Sequence, residues 1–79
     1  MNMTRRNHRA PYVLCVSNRG FRTSLIVRKI YRTLVDPKAK ARSLVRVIDE
    51  SGEDYLYSER LFVAIELPPE ASRAFRAAS

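Results

Sequence analysis

A chain of 79 residues with 46% apolar content has room for one small core and is too hydrophobic to be wholly disordered. Its formal net charge of +7 is unevenly spread: residues 1–46 hold twelve Lys/Arg and one acid, residues 47–79 three Lys/Arg and seven acids. No apolar run nears the roughly 20 residues of a membrane span, the basic start has no apolar stretch of a secretory signal, and the lone cysteine, Cys15, excludes an intrachain disulfide and suits a reducing cytoplasm.

Residues 1–10, "MNMTRRNHRA", read as a flexible basic arm. "PYVLCVS" (11–17) is an apolar, β-branched run bounded by Pro11 and the turn signal "SNRG", and is expected to be a buried strand. An open loop carrying Arg19, Phe21 and Arg22 follows. "LIVRKIYRTLV" (25–35) is strand-like in content, but its two faces are mixed. Arg28 and Arg32 share a side with Ile26, Ile30 and Leu34, while Lys29 falls opposite with Tyr31 and Thr33. A strand that bends strongly or changes sheet produces such a mixture, as small barrels require.

"DPKAKARS" (36–43) has Asp36 as N-cap and Pro37 in the first helical position, enough for about one turn exposing Lys38, Lys40 and Arg42. "LVRVID" (44–49) predicts a strand with Val45 and Val47 inward and Arg46 outward. "ESGED" is then a hairpin loop, with Gly52 supplying a positive φ and the flanking acids solvated. "YLY" (55–57) returns as its partner. "SERLF" (58–62) predicts a capped 3₁₀ turn, and "VAIEL" (63–67) a last strand with Val63, Ile65 and Leu67 on one face, stopped by Pro68 and Pro69. "EASRAFRAAS" (70–79) has a weak apolar stripe of Ala71, Ala74, Phe75 and Ala78, and so forms a short helix that must dock or fray.

This order, with "VRKIYRTL" in the second strand and "YLYSERLFVAIEL" running from the fourth strand through a 3₁₀ turn into the fifth, resembles an SH3-like barrel. More narrowly, "LIVRKIYRTL…RVIDESGEDYLYSERLFVAIELP" is similar to small uncharacterised bacterial proteins of that fold. The resemblance implies an all-β, small five-stranded SH3-like barrel over residues 11–68, a 3₁₀ turn before the last strand, and a short C-terminal helix or tail over 69–79. It carries no activity. Eukaryotic peptide-binding barrels have an acidic early loop and a tryptophan, whereas this early loop is basic and the chain has no Trp.

The residue inventory argues against catalysis. The single histidine, His8, lies in the arm, so zinc lacks a ligand set. Cys15 reads as a small buried apolar residue. Asp49/Glu50 and Glu53/Asp54 flank a hairpin tip where nothing is expected to raise a pKa, and no glycine-rich phosphate loop is present. The expectation is a non-catalytic binding module with no cofactor and no metal.

Its basic surface would engage nucleic acid, RNA or single-stranded, through Arg5, Arg6, Arg9, Arg19, Arg22, Arg28, Lys29, Arg32, Lys38, Lys40 and Arg42. The arm, the early loop and the "DPKAKARS" segment would cluster at one end of the barrel, with Phe21, Tyr31 or Tyr57 stacking on bases. The alternative is a protein-interaction module, such as an adaptor or inhibitor of the kind carried by mobile genetic elements. It would receive a peptide or a partner's strand at its barrel edge or at an aromatic groove of Tyr55, Tyr57 and Phe62, its basic face then meeting an acidic protein.

Overall fold

The structure is a computed structural model describing residues 12–78. The expected arm, with Arg5, Arg6, His8 and Arg9, lies outside the described residues. Five strands form one antiparallel sheet: β1 (Tyr12–Cys15), β2 (Ile30–Leu34), β3 (Leu44–Ile48), β4 (Asp54–Ser58) and β5 (Phe62–Ile65). Helix α1 (Pro37–Ala41) joins β2 to β3, a 3₁₀ turn (Glu59–Leu61) joins β4 to β5, and α2 (Pro69–Ala78) ends the chain.

The strand order is β4-β3-β2-β1-β5, so β4 and β5 are edges and the sheet is open. The expected closure into a barrel is therefore not what the ladder shows. β2 is the strand that changes partners. Its residues 30–32 pair with β1, and Thr33 and Leu34 pair with β3 opposite Val47 and Arg46. This explains the mixed pattern of residues 25–35, although the strand is shorter than that run. Residues 25–29 form turns instead: Arg28 adopts φ 74° and donates its N–H to the Cys15 carbonyl at 2.7 Å.

One face of the sheet carries the core. Val13 and Cys15 of β1, Tyr31 of β2, Val47 of β3, Tyr57 of β4 and Phe62 of β5 pack around Leu25 from the early loop. Leu25, Val47 and Cys15 are wholly buried, and each of the first two side chains contributes about 2 kcal/mol of hydrophobic stabilisation. Val47 points inward and Val45 is partly buried against the same cluster, as the alternation in "LVRVID" predicts. In β5 the inward residues are Phe62 and Ala64. Val63 and Ile65 share a face, as expected, but it is the outer one, and Val63 is 51% exposed.

On that outer face Tyr12 meets Phe75 of α2, ring centroids 5.2 Å apart. The C-terminal helix thus docks through Phe75. Ala71 is half-buried, and Ala74, expected in the apolar stripe, is exposed. Helix α1 has the predicted start: the Asp36 carboxylate accepts from the Ala39 N–H, and Pro37 occupies the first turn. It ends at Ser43 in the left-handed region, φ 60°, with the Arg42 and Ser43 N–H groups returned to the Ala39 and Lys40 carbonyls.

Candidate functional site

The hairpin between β3 and β4 does more than reverse the chain. Asp49 is buried, and its carboxylate accepts from the Tyr57 hydroxyl at 2.6 Å, the Ser51 hydroxyl at 2.6 Å and the Ser51 N–H at 2.9 Å. Burial opposes ionisation of Asp49, but the hydrogen bonds donated by Ser51 and Tyr57 outweigh it and hold the carboxyl below its ordinary range. Glu50 accepts from Lys29 and, at 2.6 Å, from the Tyr31 hydroxyl, and these donors likewise keep it ionised. Tyr31 in turn accepts from the Ile26 N–H at 2.8 Å, and the Glu50 N–H reaches the Ser24 carbonyl at 3.0 Å. Of the acids expected to be solvated, Asp49 braces the hairpin itself through Ser51 and Tyr57, Glu50 ties it to Lys29, Tyr31 and the early loop, and Glu53 is exposed. Serine and tyrosine donors were the missing partners in the sequence reading.

This clamp removes Lys29 from the expected anionic-ligand surface, since its ammonium is paired with Glu50 and lies 5.4 Å from the Tyr31 ring centroid. Arg46 is similarly engaged by Asp36 at 2.8 Å and Asp54 at 2.9 Å. Among the described residues Arg19, Arg22, Arg28, Lys38, Lys40 and Arg42 are exposed and take part in no ion pair. Arg32 is half-buried on the outer face, opposite Tyr12.

The cations do not gather at one end. Arg28 precedes β2 and Lys38 follows it, so a strand rising about 3.3 Å per residue separates the early loop from α1. A bridge between them comes from the 3₁₀ turn. Its Glu59 N–H bonds to the Ser43 carbonyl at 3.0 Å, and its Leu61 carbonyl accepts from Val16 at 2.8 Å and Ser17 at 3.3 Å. Exposed Arg60 thus lies on a segment stitched to the ends of both basic stretches. Sequence reasoning passed over Arg60 because it stands in the acidic half of the chain.

Of the expected aromatic contacts, Tyr31, Tyr57 and Phe62 are buried in the core and have no free face for a ligand. The phenols are occupied by Glu50 and Asp49, and burial, followed by these carboxylates, pushes the Tyr31 and Tyr57 pKa values up. Phe21 and Tyr55 remain exposed. Phe21 stands edge-on to Tyr57, centroids 5.0 Å apart at 86°. Burial pushes the Cys15 thiol up as well, away from the reactive thiolate.

A concavity lies elsewhere. A groove of about 960 Å³ opens over the inner face beside α1, lined by Val13, Thr33, Leu34, Val35, Leu44, Val45, Phe62 and Ala64, with Asp36, Lys40, Arg46 and Glu59 as its polar groups. Leu34, Val35 and Ala64 are exposed within it. Among the described residues β4 and β5 do not pair with each other, so the sheet is open beside this groove. The described residues contain no group of three or more His, Cys, Asp or Glu placed to hold a metal ion, and no helix long and apolar enough to cross a membrane.

No family profile, curated protein or solved structure matches the chain.

Proposed function

We propose that this protein is a small, cytoplasmic, non-catalytic module of the SH3-like barrel class that binds RNA or single-stranded nucleic acid through its basic surface. The order β4-β3-β2-β1-β5, with a 3₁₀ turn between β4 and β5, supports the fold assignment. The observation that carries the functional reading is the electrostatic sorting of the molecule. The acids Asp49, Glu50, Asp54 and Asp36 are spent on internal partners, while Arg19, Arg22, Arg28, Lys38, Lys40 and Arg42 face solvent without a counter-charge among the described residues. An uncompensated cationic surface releases condensed counterions from a phosphate backbone, the main source of sequence-independent affinity. Exposed Phe21, between Arg19 and Arg22, offers a ring to an unstacked base.

The test is fluorescence anisotropy with a labelled 20-nucleotide RNA and (dT)20 across a salt series. Affinity is expected to fall steeply with salt, and the triple variant Lys38→Glu/Lys40→Glu/Arg42→Glu to bind at least about tenfold more weakly, with a shallower salt slope. No binding at low salt, or a triple variant that binds as well as the parent, overturns the reading.

The apolar groove favours a second reading, a protein-interaction module that acts as an adaptor or inhibitor. Its lining of valine, leucine and alanine gives a partner chain apolar surface to bury and gives a base nothing to stack on.

A further inference from the structure

We infer that the groove takes an extended segment of a partner protein, added as a strand along β5, with apolar residues entering the groove at alternate positions and an acidic residue beside α1. This rests on the protein-interaction reading and names the kind of partner it requires. Three observations on the same part of the molecule converge on it.

The first is the free edge. Among the described residues β5 pairs only with β1, and it is the last strand in the order. Its sequence, "FVAI", contains no charge and no proline, the usual protections of an exposed edge. By contrast the other edge strand, β4, begins with an aspartate that is engaged by Arg46. The helix after β5 packs on the opposite face through Phe75 and Tyr12.

The second is the coincidence of edge and groove. Phe62 and Ala64, the inward residues of β5, line the groove. A strand laid beside β5 shares its pleat, so every second side chain of that strand points the same way as Phe62 and Ala64, towards Leu34, Val35 and Leu44. Main-chain hydrogen bonds would supply affinity and the groove would select the alternate side chains.

The third is charge. On the α1 side, Lys40 lines the groove and Lys38 and Arg42 flank it, with no ion pair among the described residues. Asp36 is consumed by Arg46 and by capping α1. The remaining acid of the lining, Glu59, belongs to the 3₁₀ turn. The groove therefore offers one uncommitted cation, Lys40, to an acidic side chain, with Glu59 on the neighbouring turn stitched to Ser43. A nucleic acid is disfavoured here, because Phe62 is buried and base edges would meet valine, leucine and alanine without hydrogen-bond partners.

The experiment is selection of random 12-residue peptides displayed on phage against the full chain, followed by anisotropy and amide hydrogen exchange with the enriched peptides. Enriched sequences are expected to alternate apolar residues and to carry Asp or Glu at one end. Val35→Asp and Ala64→Asp, both at exposed positions that tolerate a polar group, should each weaken peptide binding at least tenfold, and Lys40→Glu several-fold. Amides of β5 should gain protection while (dT)20 binding by Val35→Asp stays at the parental level. No enrichment, or peptides that bind Val35→Asp as tightly as the parent, overturns the inference. Binding that leaves β5 exchange unchanged also overturns it while leaving a protein partner in place. Displacement of the peptides from the groove by (dT)20, with Val35→Asp losing both ligands, makes the groove part of the nucleic-acid surface and overturns it too. Failure of the oligonucleotide arm alone bears on the basic-surface reading and not on this one.

Discussion

The hairpin end and the α1 end of the same concave face have opposite solutions to the same problem. At the hairpin end the early loop drops Leu25 into the core, Phe21 leans on Tyr57, and Asp49 and Glu50 accept from tyrosine, serine and lysine donors. At the α1 end the face is left as a groove, with valines and leucines open to solvent and lysines unpaired. One end uses its sequence for stability, and the other leaves apolar surface and charge uncommitted. A 79-residue chain has little stability to spare, so the uncommitted end is the part that points to a ligand.

Substitutions divide along the same line. Leu25→Ala should be the most damaging, about 3 kcal/mol, because it empties a wholly buried site. In a domain this small the melting temperature should fall by roughly 15 °C, read by circular dichroism. Asp49→Ala should cost about 2 kcal/mol, since the Tyr57 hydroxyl would be left buried without its acceptor. Tyr57→Phe should cost about 1 kcal/mol, and the double variant less than the sum of the two, a coupling measurable by urea unfolding.

Acid should act on both ends, since the Arg46 guanidinium and the Ala39 N–H also hold the Asp36 carboxyl low at the start of α1. Asp49 and Glu50 have carboxyls held low in the folded state. Their stabilisation is complete above the ordinary carboxylate range and drains as pH falls through that range towards the folded values. Thermal melts from pH 7 to pH 3 should show this loss, and Glu50→Gln should flatten it. Smallest of all is Val35→Asp, expected within about 0.5 kcal/mol of the parent because the side chain is 63% exposed. A large loss there would erase the contrast between the two ends.

Local chemistry made the secondary elements legible. Asp36-Pro37 marked the start of α1, Ser58 the 3₁₀ turn whose Arg60 N–H it accepts, and Gly52 the hairpin at φ 86°. The bend of β2 between two partners left its trace as a run with no clean face. What stayed hidden depended on distance. Nothing adjacent to Asp49 or Glu50 in the chain announces Tyr57, Lys29 or Tyr31 as partners, so both acids read as turn residues. Charge counting listed Lys29 as available for the same reason, and it could not foresee that β2 would hold Arg28 and Lys38 apart. The groove was beyond reach as well, because alternation tells which residues face inward and not whether another layer covers them. Tyr31, Tyr57 and Phe62 show the converse error: aromatic residues counted as ligand contacts were needed by the core.

The left-handed residues have a practical side. Arg28 and Ser43 hold φ values of 74° and 60° that glycine adopts without penalty. Replacing Ser43 by glycine should relieve about 1 kcal/mol of local cost while leaving every surface cation in place. That gives a hardened parent in which disruptive changes elsewhere can be studied without collapse of the chain.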